Sequence, residues 1–185
     1  MSSGIIVISG PSGSGKTTLY KRLLKDYPDS LAFSISATTR KPRPGEKDGT
    51  DYYFISKEEF ESRIANNEFV EYNKYAGNYY GTLLSEIERI NNLGDICLLD
   101  IEVNGARNVK KTFPSAMMVF IMPPSIEEMK KRILNRGRMD ETELDKRLKT
   151  AEEEMEHAPM YDRIIVNDKL EKAYEELKGI IEGLL

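Results

Sequence analysis

Residues 4–9, 96–101, 116–122 and 163–166 form apolar runs without alternation, each short enough for a strand. Such runs predict strands buried on both faces, as in a parallel sheet covered by helices. Between them the period changes. Residues 16–26 have helical spacing, with Leu19 and Leu23 on one face, and Tyr27-Pro28-Asp29 stops that helix. Ser56 with Glu59 three residues on reads as a capped helix start, and Asn66-Asn67 ends the helix. Residues 85–93 form a short amphipathic stretch, 125–157 are helical and strongly charged, and 169–183 predict a last helix. The pattern is α/β, with a parallel-sheet core.

Residues 35–84 differ in character. Leu31 to Ala37 alternates, like a strand with one wet face, and residues 51–55 predict another strand. Residues 68–82 are rich in Tyr and Phe around Gly77-Asn78, which predicts a hairpin turning there in an antiparallel sheet. This segment reads as an insertion on the core, and 126–156 as a second, helical insertion. The core is left with 1–34, 85–125 and 157–185. The run Ala151 to Glu156 reads as a solvated helix face.

Composition narrows the classes. The 185 residues carry a formal net charge of −4, which argues against a nucleic-acid surface. One cysteine, Cys97, excludes an internal disulfide, and with a single histidine there is no structural zinc set. No apolar run approaches the ~20 residues of a membrane helix. The expectations are a cytoplasmic chain without a leader, with no nucleic-acid or membrane partner, as a monomer or weak homodimer.

The chemistry sits between the first strand and the first helix. Gly10-Pro11-Ser12-Gly13-Ser14-Gly15-Lys16-Thr17 is a complete G-x-x-x-x-G-K-[ST] phosphate-binding loop in its strand–loop–helix context. Glycines let successive N–H groups turn toward an anion, and the helix N-terminus adds partial positive charge. Ser12, Gly13, Ser14, Gly15, Lys16, Thr17 and Thr18 are the expected ATP-phosphate cradle. Lys16 reaches the β- and γ-phosphates, and Thr17 offers its hydroxyl to Mg²⁺. Asp100, closing an apolar strand, is expected near Mg²⁺ or its waters. Two basic clusters could complete a phosphoryl-transfer site. Arg40 and Arg43 lie on a proline- and glycine-stiffened loop, near Tyr52 and Tyr80. Arg132, Arg136, Arg138 and Arg147 fall within the second insertion. Guanidinium forks match phosphate oxygens.

Together these pieces resemble the guanylate kinase family nearly end to end. The resemblance rests on Ile8-Ser9-Gly10-Pro11-Ser12-Gly13, Ser34-Ile35-Ser36 with Thr38-Thr39-Arg40 and Pro42-Arg43, Asp51-Tyr52, and Glu68-Phe69-Val70-Glu71. It continues through Gly77-Asn78-Tyr79-Tyr80-Gly81-Thr82, Leu99-Asp100-Ile101 and Ile165-Val166-Asn167-Asp168. It implies a P-loop NTPase core, a mixed α/β GMP-binding domain at 35–84 and a helical lid at 126–156. It also implies Mg²⁺-assisted transfer of the ATP γ-phosphoryl group to GMP. By the resemblance, Arg40, Arg43, Tyr52 and Tyr80 hold the GMP phosphate, while Ser36, Glu71 and Thr82 read guanine. Asp100 and Glu102 belong to the GMP site. Arg132, Arg136 and Arg147 close on the ATP phosphates, and Asn167 and Asp168 pass beside adenine. Lys16, Arg43, Arg136 and Arg147 are then the expected catalytic charges. The family usually has Asp where this chain has Glu102. Rival readings are a non-catalytic scaffold that binds phosphopeptides in the same site, a kinase for another monophosphate, and a GTPase switch. The full glycines and Lys16 favour the enzyme, and no N-K-x-D base motif supports the switch.

Overall fold

Ile5–Ser9 forms β1, fully buried, with Ile5 and Val7 in one hydrophobic cluster and Ile6 and Ile8 in another. The same two-sided alternation runs through β7 (Ile96–Asp100) and β8 (Met117–Met122). With β2 (Leu31–Phe33) and β9 (Arg163–Val166) these strands make a parallel sheet in the order β2-β7-β1-β8-β9. The computed structural model describes residues 4–135 and 140–185.

Helices cover both faces, which is why the strands read as continuous apolar runs. Leu19 and Leu23 of α1 (Lys16–Asp26) and Tyr174, Leu177 and Ile181 of α7 (Leu170–Glu182) lie on the Ile6/Ile8 side. Ile87 and Ile90 of α3 (Leu84–Asn92) and Val103, Ala106 and Val109 of α4 (Val103–Thr112) lie on the other. Each Val, Leu or Ile among them contributes about 1.5–3 kcal/mol by its burial. The pattern of residues 103–112 did not announce α4, because Asn104 and Gly105 break its helical signal.

A second sheet, β4-β3-β6-β5, comprises β3 (Ala37–Thr38), β4 (Tyr53–Phe54), β5 (Phe69–Tyr75) and β6 (Asn78–Leu83). Helix α2 (Lys57–Ala65) packs on it through Phe60, whose ring stacks on Phe69 and Tyr79 with centroids 4.2 and 5.0 Å away. Ser56 caps α2 by accepting from the Glu59 N–H, as its sequence indicated. Three expectations are corrected. The alternating run 31–37 is not one strand, because β2 belongs to the first sheet and β3 to the second. The second sheet is mixed, since β3 and β4 pair in parallel. The hairpin turns on Ala76-Gly77, not Gly77-Asn78. Both turn residues have positive φ (47° and 80°), as a type I′ connection matching strand twist requires, and Asn78 already pairs with Tyr75.

The charged segment after β8 is two helices, α5 (Ile126–Leu134) and α6 (Glu141–Glu156), capped by Ser125 and Asp140. Met129, Ile133, Leu144 and Ala151 form a small core of their own. Among the described residues, no helix is long and apolar enough to cross a membrane.

Candidate active site

The phosphate loop emerges from the carboxyl end of β1, where parallel sheets present ligand sites. Two glycines there are obligatory on space as well as conformation. A Cβ on Gly10 would lie 2.3 Å from the Ile121 carbonyl oxygen, and one on Gly15 2.3 Å from the Asn167 amide nitrogen. Asn167 is buried, and its side chain donates to the Ser14 carbonyl at 2.7 Å while its N–H donates to Met122 at 2.8 Å. It braces the loop from β9. Gly15, at φ 86°, is the N-cap of α1, and neither a capping side chain nor a first-turn acid occupies its free N–H groups. That end of the helix is left open to an anion.

Lys16 faces two carboxylates. Asp100 ends β7, in register with Ile8. Burial pushes its pKa up, and Lys16 and Tyr20 pull it back. Burial also raises Glu154, again opposed by Lys16. Tyr20, on α1 beside Thr17 and Asp100, is pushed up to about 12 by burial and by the Asp100 charge. Ser12, Arg147, Ala151 and Glu154 line a cleft of about 510 Å³ between the phosphate loop and α6. The run 151–156 is therefore not a plain solvated face: Ala151 is buried and Glu154 half-buried in that cleft. Helical period places both on the inner side, but charge density in the sequence hid it.

A second cleft, of about 340 Å³, is lined by Ser36, Tyr52, Glu71, Tyr80, Asp100 and Glu102, with Asn73, Tyr75, Gly81 and Ile101. Its most unusual member is Glu71, a carboxylate only 7% exposed. The Thr82 hydroxyl donates to it at 2.6 Å, so Thr82 meets Glu71 directly. Burial raises the Glu71 pKa, the Thr82 contacts lower it, and the Glu102 charge raises it further. A β-bulge aims it. The β5–β6 register shifts between Phe69 and Glu71, so Phe69 stacks on Phe60 while Glu71 turns to the cleft. Gly105 of α4 leaves the room: a Cβ there would come 3.0 Å from Glu71 Oε2. Beyond the bulge, alternation puts Asn73 and Tyr75 on the cleft face with Glu71. Those two were missed in the sequence, although period two from Glu71 points to them.

Arg40 is held, not free. Its guanidinium makes a bidentate pair with Glu46 (2.8 and 3.0 Å), and the same carboxylate accepts the Arg43 N–H at 2.7 Å. These contacts pull Glu46 down to about 2. The Arg40 cation lies 5.3 Å from the Tyr52 ring centroid, at the edge of the cleft. Arg43 is exposed, without an ion pair among the described residues. Arg132 binds Glu128 and the Asn167 carbonyl (3.1 Å each), and Arg147 pairs with Glu143 at 2.8 Å. Asp168 is exposed just beyond Asn167. Arg136 and Arg138 lie outside the described residues. No cluster of three or more His, Cys, Asp or Glu suited to a metal occurs among the described residues.

A phosphate loop on a parallel sheet, with a lysine whose charge reaches two carboxylates and a second cleft one strand away, defines a P-loop NTPase built for nucleotide chemistry. The family profile described as guanylate kinase matches residues 2–184. The chain is 48% identical over 177 residues to guanylate kinase from Synechococcus elongatus, covering 96% of each. It is 46% identical over 178 residues to that of Schizosaccharomyces pombe, covering 95% of this chain and 88% of the relative. The crystal structure of guanylate kinase from Anaplasma phagocytophilum superposes with a TM-score of 0.73 at 33% identity, covering 98% of this chain and 85% of that one. The chain belongs to the guanylate kinase family, whose members are ATP:GMP phosphotransferases.

Proposed function

We propose that the two clefts hold the two substrates of ATP:GMP phosphoryl transfer, ATP on the phosphate loop and GMP against Glu71. One observation carries the assignment: the clefts share Tyr75 as a wall, with Asp100 lining one and Glu154 the other. Acceptor and donor phosphates brought to that junction meet beside Lys16. Residues 35–84 are then the GMP-binding domain, 126–156 the lid, and the remaining 1–34, 85–125 and 157–185 the core.

Guanine presents N1–H and N2–H₂ donors beside an O6 acceptor. Glu71 accepts the donors, Thr82 orients Glu71, and Ser36 completes the polar rim. Adenine reverses the pattern and would leave a buried carboxylate facing an acceptor. Arg40, Arg43, Tyr52 and Tyr80 take the GMP phosphate. Glu46 supports that role by holding Arg40 ready over Tyr52. Ser12 to Thr18 take the ATP phosphates, while Arg132, Arg136 and Arg147 come from the lid. Asn167 and Asp168 lie on the adenine side.

The acceptor phosphate is already an anion, so no general base is required. The work is alignment and charge neutralisation by Lys16, Arg43, Arg136 and Arg147. Thr17 and Asp100 suit Mg²⁺, which takes one or two protein oxygens and leaves the rest to phosphates and water. When bound it neutralises charge on the β- and γ-phosphates. The test is ADP release with Mg-ATP and GMP, AMP, UMP, CMP or dTMP as acceptor. Turnover confined to GMP supports both clefts' assignments. Folded protein inert with every acceptor rejects the enzyme reading in favour of a phosphopeptide scaffold.

A further inference from the structure

Asn73 sits on the cleft face of β5, two residues beyond Glu71 and across the strand pair from Tyr80. Both ends of its amide are committed. The side-chain oxygen accepts the Lys74 N–H at 2.6 Å, which fixes the orientation of the group and turns the NH₂ outward. That NH₂ donates to Glu102 Oε1 at 2.5 Å. Glu102 immediately precedes α4 yet makes no capping bond, so its side chain is free to lean across to β5. One oxygen of Glu102 is thereby spent on Asn73, while its charge reaches Glu71, itself one oxygen short after Thr82.

Two carboxylates facing one cleft repel each other, and an exposed glutamate would relieve this by swinging into water. The Asn73 bond prevents that. A ligand edge with several N–H donors is what such a pair accommodates. Guanine offers three, on N1 and the 2-amino group; hypoxanthine offers one fewer group, lacking the amine entirely. A side chain longer than the family's usual Asp needs this restraint, because it has one more rotatable bond to fix.

We propose that Asn73 is a positioning residue for base selection, holding Glu102 in the cleft so that Glu71 and Glu102 together select the guanine 2-amino group. The proposal rests on the reading of this cleft as the GMP site. Asn73 is exposed, so Asn73→Ala leaves the core untouched.

The experiment compares GMP with IMP as acceptor, measuring kcat and KM for wild type, Asn73→Ala, Glu102→Ala and the double variant, each with saturating Mg-ATP. Asn73→Ala is expected to lower the GMP-over-IMP ratio of kcat/KM about tenfold, through KM for GMP, with kcat and KM for ATP within twofold. Glu102→Ala lowers the ratio at least as far, and adding Asn73→Ala to it changes nothing further. An unchanged ratio in Asn73→Ala, or losses that multiply in the double variant, overturns the proposal while the GMP site stands. A wild-type enzyme that neither binds nor phosphorylates GMP overturns the site reading beneath it.

Discussion

In the proposed GMP site, Glu71 concentrates the problem of base recognition in one side chain. It is ionisable, 7% exposed, and lacks a cationic partner among the described residues, so burial pushes its pKa above the ordinary carboxylate range. Between the unfolded and the raised folded value the native chain binds more protons than the unfolded one. Stability therefore falls as pH rises through the folded pKa, and the full cost is present above it. Guanine donors reverse the preference, because they bond the ionised form. GMP affinity is thus expected to weaken on acidification at a higher pH than an ordinary glutamate would dictate. Calorimetric GMP titrations from pH 8 down to 4.5 check this, and an affinity flat across that range would refute it. Glu71→Gln removes the buried charge. We expect a higher unfolding temperature for the free protein at neutral pH, and a GMP-over-AMP preference lower by on the order of a hundredfold. Turnover assays with both acceptors decide the second point. Lys16→Met is the complementary case. It should fold normally by circular dichroism and lose on the order of a thousandfold in kcat, and near-wild-type turnover would end the phosphate-loop argument. Lys16 and Asp100 were singled out in the sequence by the phosphate loop and by the acid closing an apolar strand, and Glu71 and Thr82 by the family resemblance. Asn73, Glu46 and Glu154 were not, since their meaning comes from partners far along the chain or from which helix face turns inward.

Element geometry decides whether those residues meet. The core strands were legible in the sequence because helices on both sides demand unbroken apolar runs. The connection from β2 to β3 was not, because Ser34 to Ser36 continue the alternation while the chain changes sheets. Helix α4 was hidden by Asn104 and Gly105, and Gly105 is there for Glu71, not for the helix. Gly105→Ala should raise helix propensity yet place a Cβ 3.0 Å from Glu71 Oε2 and 3.2 Å from its Cγ. Glu71 must then shift by a few tenths of an ångström out of its aim. The expected outcome is a several-fold rise in KM for GMP with KM for ATP unchanged, read from initial rates with each substrate varied in turn. Equal changes in both constants would assign Gly105 to general packing. The β-bulge has the same purpose and no sequence signature, since it shifts register without changing residue types.

At the scale of the molecule, the two sheets are joined through Glu86 of α3, only 2% exposed. It accepts from the Ile35 N–H at 3.0 Å on the segment linking β2 to β3, from the Tyr53 hydroxyl at 2.8 Å on β4, and from Arg89. Burial alone would raise its pKa, but those donors outweigh burial and hold it below the ordinary range. The second sheet is thus fastened to the core at α3, and α4 holds β5 beside it through Gly105 against Glu71 and Glu102 bonded to Asn73. Tyr75, at the far end of β5, is 72% exposed and walls both clefts. On the other side, α5 rests on the phosphate loop, with Met129 and Ile133 3.2 Å from where a Gly13 Cβ would stand, while Arg147 pairs with Glu143. An arrangement tethered at its hinge and open at its rim transfers phosphate to GMP instead of water only if the rim closes when both substrates are present. We expect GMP plus a non-hydrolysable ATP analogue to lower the radius of gyration in small-angle scattering, with either nucleotide alone giving a smaller change. A profile unaltered by the pair would mean that water is excluded without domain closure, and that the opening at Tyr75 is already the catalytic geometry.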